Sequence, residues 1–228
     1  VPAEFTTIEI MPTTLTSDPV ASTLRELYAN AEAQRRGPRS PRPASDAERP
    51  SAQERADAAS EAYMPIDPDA GRLLYSLIRA TRPETVVEFG TSFGISTLHL
   101  AAAVRDNGTG RVVTTELNAH KVVTATATFA RVGLSDVVTV LQGDALETLD
   151  TVTGPIGFVL LDGWKEMYLP VVEAIESRLP AGTLIAADNA GHAETGPYLD
   201  YVRDPANGYT TTNFPSKEGD SMELSCKA

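Results

Sequence analysis

The sequence predicts an α/β fold: a doubly wound, mostly parallel sheet closed by an antiparallel C-terminal hairpin. Short apolar runs at residues 85–89, 111–116, 137–141, 156–162 and 183–188 alternate with helical stretches. Strands buried on both faces and separated by helices form parallel sheets. The chain then ends on Tyr209–Phe214, a polar turn through Lys217–Asp220, and Met222–Ser225. Two strands joined by so short a turn must run antiparallel. At 228 residues there is chain for one such core and an added segment. We place the division at residues 1–60, a helical segment with a Pro- and Arg-rich linker, and 61–228, the α/β domain.

In order, residues 1–19 hold little regular pattern before Asp18 or Pro19 offers a helix start. Val20, Leu24, Leu27, Tyr28 and Ala31 then recur at helical spacing, so Val20–Arg35 reads as one helix with an apolar stripe. That stripe packs on the main domain or on a second subunit. Residues 36–50 carry four prolines and many charges, the composition of a linker. Ser51–Tyr63 is helix-prone, and Gly71–Thr81 is a short helix feeding the first strand. Ala119–Val132 and Tyr168–Arg178 are the clearest later helices, with Gly133, Gly154 and Gly182 near junctions.

The whole is organised around Thr85–Leu100, TVVEFGTSFGISTLHL. Val86, Val87 and Phe89 suit a strand, Gly90 and Gly94 let backbone approach a ligand closely, and the following residues are helical in pattern. Such a strand–turn–helix holds a nucleotide-like cofactor or is an ordinary tight turn. It lacks the third glycine of the dinucleotide fingerprint, and its acid, Glu88, precedes the first glycine. That moves the reading from NAD towards S-adenosylmethionine.

Composition narrows the function classes. A formal net charge of -12 opposes binding to nucleic acid, whose affinity comes largely from Lys and Arg on phosphates. Small-molecule acceptors are favoured instead. One cysteine, Cys226, allows no intrachain disulfide and suits a reducing cytoplasm. No apolar stretch approaches the roughly 20 residues of a membrane span, and a signal-peptide pattern is absent from these residues. A cytoplasmic protein is the expectation.

Five acids, Glu88, Glu116, Asp144, Asp162 and Asp188, fall at or just past strand ends, and all would gather at the sheet edge where open α/β folds bind ligands. Glu116 stands where an acid meets a ribose diol, or else caps the next helix. Asp144 can approach an adenine amino group, with the neighbouring amide of Ala145 meeting a ring nitrogen, or be an N-cap. Asp162, Asp188 and Asn189 are hard oxygen donors that suit Mg²⁺ or Ca²⁺, or else are turn residues. Asp188 and Asn189 can share one ion only if the strand has already ended there.

The stretch LLDGWKEMYLP, followed by LIAADN, resembles the metal- and S-adenosylmethionine-dependent O-methyltransferases, meaning the catechol O-methyltransferases and the caffeoyl-CoA O-methyltransferase group. The resemblance spans about Ala62–Ser225, with GDSMELS as the closing strand, and implies a class I methyltransferase, a Rossmann-like fold. It implies that Asp162, Asp188 and Asn189 hold Mg²⁺ and that Lys165 is the general base. It places Glu88, Gly90, the loop with Gly94, and Ser96 at the methionine part of the cofactor, and Glu116 at its ribose. Met64 and Ile66 match the segment that closes over the cofactor, and Trp164 the adenine and substrate side. Gly163 departs from the histidine of the catechol enzymes, and their last substrate-contacting acid has no placed counterpart.

The expected function is methyl transfer to a hydroxyl of a small phenolic or catechol-like acceptor. The chain is expected to act as a homodimer, without nucleic acid or membrane partners. The alternatives are a metal-independent methyltransferase with His192 as base, a cofactor-binding partner protein without catalysis, and an NAD-dependent oxidoreductase.

Overall fold

The computed structural model describes residues 12–37, 50–217 and 219–228. The N-terminal residues 1–11 and most of the predicted linker lie outside this set.

Chain order gives helices α1 (Asp18–Arg36), α2 (Ala52–Ala58) and α3 (Pro68–Thr81), then strand β1 (Thr85–Phe89). There follow α4 (Ile95–Asn107), β2 (Arg111–Glu116), α5 (Ala119–Arg131), β3 (Val138–Gln142), α6 (Ala145–Thr148) and β4 (Phe158–Leu161). The last elements are α7 (Tyr168–Ile175), β5 (Leu184–Ala187), α8 (Gly196–Arg203), β6 (Tyr209–Lys217) and β7 (Asp220–Lys227). The strands form one seven-stranded sheet in the order β3-β2-β1-β4-β5-β7-β6. Strands β1 to β5 are parallel, and β7 runs antiparallel to both β5 and β6, as the sequence predicts. Pro215 is tolerated because β6 is the edge strand, where a missing N–H costs no ladder bond.

Alternate strand residues feed two apolar layers, so each strand is buried on both sides. Val86, Val112, Phe158 and Leu160 join α1, α3, α4 and α5 on one face. Val87, Val113, Val159, Leu161 and Ile185 join α7 and α8 on the other. The stripe of α1 packs on this chain's own core: Val20, Leu24 and Leu27 are buried in the first layer. Each such aliphatic side chain contributes roughly 1.5–3 kcal/mol by leaving water. Helices α3 and α4 meet closely enough that a Cβ at Gly71 would lie 2.7 Å from His99 Nε2.

Several predicted boundaries shift. Helix α2 stops at Ala58 rather than Tyr63, because the Tyr63 amide donates to Gln34 Oε1 (2.7 Å) and its ring stacks on Phe93 at 4.4 Å. Helix α3 begins at Pro68, since Asp67 caps it by accepting from the Asp69 amide. Strands β4 and β5 end at Leu161 and Ala187, so Asp162 and Asp188 are the first residues beyond the ladder.

Candidate active site

The carboxyl ends of β1 to β5 border a cavity of about 460 Å³, within the range of small-molecule sites. One wall is the turn after β1. Gly90 has φ 104, and a Cβ there would lie 2.9 Å from the backbone of Asp162, so only glycine lets β1 and β4 converge at this edge. Gly163 is constrained in the same way, because a Cβ would sit 2.5 Å from the Phe89 ring. The departure at Gly163 noted in the sequence therefore has a local cause.

Gly90, Ser96, Glu116, Asp144, Ala145, Asp162, Trp164, Lys165, Asp188, Asn189 and Met64 all line the cavity, with His192. Glu88, Gly94 and Ile66 do not. Ile66 is a core residue, and Gly94 is the left-handed N-cap of α4 against the Phe129 ring. Glu88 is the penultimate residue of β1, completely buried beneath the loop. Its Oε2 accepts from Thr97 Oγ1 (2.5 Å) and Thr114 Oγ1 (2.6 Å), while Oε1 is buried without a hydrogen-bond partner. Burial pushes its carboxyl up, against the hydroxyls of Ser96, Thr114 and Thr97, which favour the ionised form. Four of the five strand-end acids thus face the cleft, and the fifth organises the floor under it.

Glu116, last in β2, accepts from the Ser92 amide and the Asn118 amide, both at 2.8 Å, and so fixes the loop to the next helix. The N-cap of α5 is Asn118. Asp144 is the N-cap of α6, accepting from Leu146 N at 2.8 Å. Capping does not take it out of the cleft, since it lines the cavity as well.

Beside the loop, Asp162, Lys165, Asp188 and Asn189 line a polar wall. The Asp162 side chain is 12% exposed, Lys165 Nζ stands 3.5 Å from its Oδ1, and Nζ donates to Gly163 O at 2.9 Å. Asp188, 2% exposed, receives Ser216 Oγ at 3.4 Å, and its backbone carbonyl accepts from Tyr168 Oη at 3.0 Å. Burial, then the charges of Asp162 and Asp188, push the Tyr168 phenol well above its ordinary range. Asn189 has φ 59, a left-handed turn immediately after the strand. The condition for Asp188 and Asn189 to face one ion, that β5 has ended, is met.

Sequence reasoning missed three contributors. Tyr168 sits within the quoted LLDGWKEMYLP but reveals its role only through the Asp188 carbonyl. Helix α2 covers the cleft with Ala52, Arg55 and Ala56. Arg55 lies 4.3 Å over the Trp164 ring and pairs with Glu166, while Asp57 accepts from Asn118 Nδ2 at 3.0 Å. The helix is therefore tied to both lips. Lys121, nearly fully buried, places its ammonium 5.3 Å over the Phe93 ring; burial pushes its pKa down while Glu116 and Glu61 favour the charge.

A doubly wound sheet with an antiparallel closing pair, a glycine turn after β1 and acids at the next strand ends defines the class I methyltransferase architecture. Comparison agrees. A family profile described as a methyltransferase domain matches residues 87–190. Catechol O-methyltransferase B of Danio rerio is 31% identical over 160 residues, 67% of this chain and 60% of the relative. The catechol O-methyltransferase of Mycobacterium tuberculosis is 33% identical over 134 residues, 58% of this chain and 60% of the relative. The crystal structure of cofactor-bound Rv0187 from MTB superposes with a TM-score of 0.65 at 27% identity, covering 77% of this chain and 88% of that one. These matches make the chain similar to the catechol O-methyltransferases and to other S-adenosylmethionine-dependent O-methyltransferases. It spans about 60% of the length of the two curated relatives. Among the described residues, no helix is long and apolar enough to cross a membrane.

Proposed function

We propose that this chain transfers a methyl group from S-adenosylmethionine to a hydroxyl of a small phenolic or catechol-like acceptor, with Mg²⁺ and Lys165 as base. The observation that carries the reading is Lys165 Nζ at 3.5 Å from Asp162 Oδ1, in a cavity that Asp188, Asn189 and the glycine loop also line.

The residues fit both groups. For the cofactor, the cleft has the volume, a loop that only glycine permits, and Ser92 Oγ buried at its rim without a partner. S-adenosylmethionine supplies the transferable methyl as a sulfonium. Glu116 would meet the ribose, and Asp144 with the Ala145 amide the adenine. For the cation, Asp162, Asp188 and Asn189 are oxygen donors of the kind Mg²⁺ takes, and two largely buried carboxylates on one wall favour a cation there. Mg²⁺ would supply Lewis-acid polarisation of the acceptor's oxygens.

The chain's own residues do the rest. Asp162 holds Lys165 beside the acceptor position, and Tyr168 fixes the Asp188 turn through its carbonyl. Lys165, 19% exposed on its side chain, would take the acceptor's hydroxyl proton at Nζ as the neutral amine. Helix α2 and Trp164 exclude water above the reacting atoms.

A second reading, metal-independent transfer with His192 as base, is favoured by one contact: His192 Nε2 stands 3.7 Å from Asp220 Oδ2 on the same wall. Methyl transfer from labelled cofactor, screened over catechols, phenolic acids and their thioesters with and without Mg²⁺, separates the two. No transfer to any acceptor, with cofactor still bound, would favour the non-catalytic alternative. The reading keeps the chain in the cytoplasm and as a homodimer, the latter tested by its mass in solution.

A further inference from the structure

An asparagine that ligates a cation must present its oxygen, yet its two amide ends are nearly the same shape and nothing within the residue selects between them. Asn189 Nδ2 lies 2.7 Å from Asp220 Oδ2. A carboxylate only accepts, so the NH₂ end must be the one that faces it. The carbonyl oxygen is thereby turned the other way, to the cavity that Asn189 lines.

Asp220 is itself tightly held. It opens β7, its side chain is 9% exposed, and Oδ1 accepts from the Gly191 amide (3.1 Å) and the Ser221 amide (2.8 Å). A Cβ at Gly191 would come within 3.0 Å of that oxygen, so glycine makes the room. The other strand of the same hairpin sends Ser216 to Asp188. Among the described residues, no three His, Cys, Asp or Glu side chains are grouped to hold a metal. Asp220 does not join Asp162 and Asp188 as a third carboxylate ligand.

We infer that Asp220 is a positioning residue, which fixes the side-chain amide of Asn189 so that its oxygen faces the cation; this rests on the Mg²⁺ reading above. Partners that orient metal ligands are commonly worth about 10–100-fold in metal affinity.

The test is Mn²⁺ binding to the full chain, followed by electron paramagnetic resonance without acceptor. D220N keeps the size of the side chain. Its oxygen is claimed by the two backbone amides, so its NH₂ meets Asn189 and reverses the Asn189 amide. We expect Mn²⁺ affinity to fall about 10–100-fold while S-adenosylmethionine affinity and the thermal midpoint change little. The exchanged pair N189D/D220N restores the hydrogen bond in the opposite sense, leaves one oxygen of the relocated carboxylate for the ion, and should recover the affinity. A purely structural Asp220 would lower the midpoint and leave Mn²⁺ binding intact. Unchanged Mn²⁺ affinity in D220N, or no recovery in the exchanged pair, overturns the inference and leaves the metal reading standing. A wild-type chain that binds no Mn²⁺ overturns both. Should D220N fail to fold, the wild-type Asn189 amide protons, assigned by their loss in N189A, decide the matter: they should exchange slowly with solvent, and fast exchange overturns the clamp.

Discussion

Arg55 Nη2 lies 2.5 Å from Glu166 Oε1, a tie that crosses the mouth of the cleft from α2 to the residue following Lys165. Both side chains are mostly covered, at 21% and 29% exposure, and the guanidinium also lies over Trp164. A partly screened pair contributes up to about 1 kcal/mol and the ring contact about 0.5–1 kcal/mol. Arg55→Ala should therefore speed cofactor release about tenfold, since roughly 1.4 kcal/mol is one decade. Stopped-flow dissociation reads this directly. An unchanged off-rate would mean that α2 covers the cleft without gating it.

Glu116 is a second point of leverage on the cofactor. Both of its oxygens already accept backbone N–H donors, from Ser92 and Asn118, so its removal loosens the loop as well as the ribose position. Glu116→Ala should weaken S-adenosylmethionine binding by about 1–3 kcal/mol in titration calorimetry. Glu116→Gln keeps only one accepting oxygen and should fall between the two. Wild-type affinity in the alanine variant would place the ribose elsewhere.

The sequence made the sheet and the cleft edge legible because both rest on local signals: apolar runs give strands, and acids after them mark the ligand side. It also placed Asp162, Lys165, Asp188 and Asn189 together, through spacing and family resemblance. Other features depend on distant contacts with no sequence period. Tyr63 leaves its helix for Gln34 and Phe93, and Asp220 reaches Asn189 across 31 positions. Glu88 carries the same lesson in reverse. A strand-end acid looks like a cleft residue, but its place one residue before the end of β1 turns it into the layer beneath.

His99 gives a pH prediction. Burial first, then the charge of Arg72, lowers its pKa, while its bond to the Ile95 carbonyl works the other way. The folded state thus binds a proton less readily than the unfolded chain. Stability is fully present above the ordinary histidine value of about 6.5 and is lost as pH falls below it, by at most about 1.4 kcal/mol per pH unit. Glu88, raised by burial, acts in the opposite sense, so the wild-type slope mixes the two. Urea unfolding of wild type and His99→Gln between pH 7 and 5 isolates the histidine. Parallel curves would remove His99 as the source.

The last prediction concerns Lys165 and the cation as one unit. A free phenol with a pKa near 10 is mostly protonated at neutral pH, so transfer from its oxygen needs a group that removes the proton. Lys165 Nζ stands 3.5 Å from Asp162 Oδ1, donates to Gly163 O and lies 5.5 Å from the centre of the Tyr168 ring. Lys165 also lines the cavity. Lys165→Met should lower kcat by about 10²–10⁴, the usual worth of a positioned base, with cofactor affinity nearly unchanged. If Lys165 works beside a cation, Asp188→Ala or chelation should abolish turnover in the same assay, and the loss from Lys165→Met should not add to it. Independent, multiplying losses would separate lysine from metal. Full turnover in EDTA, once the protein is shown by elemental analysis to be metal-free, would end the Mg²⁺ mechanism. His192→Ala would then become the decisive variant, with its 3.7 Å approach to Asp220 as the remaining base arrangement on that wall.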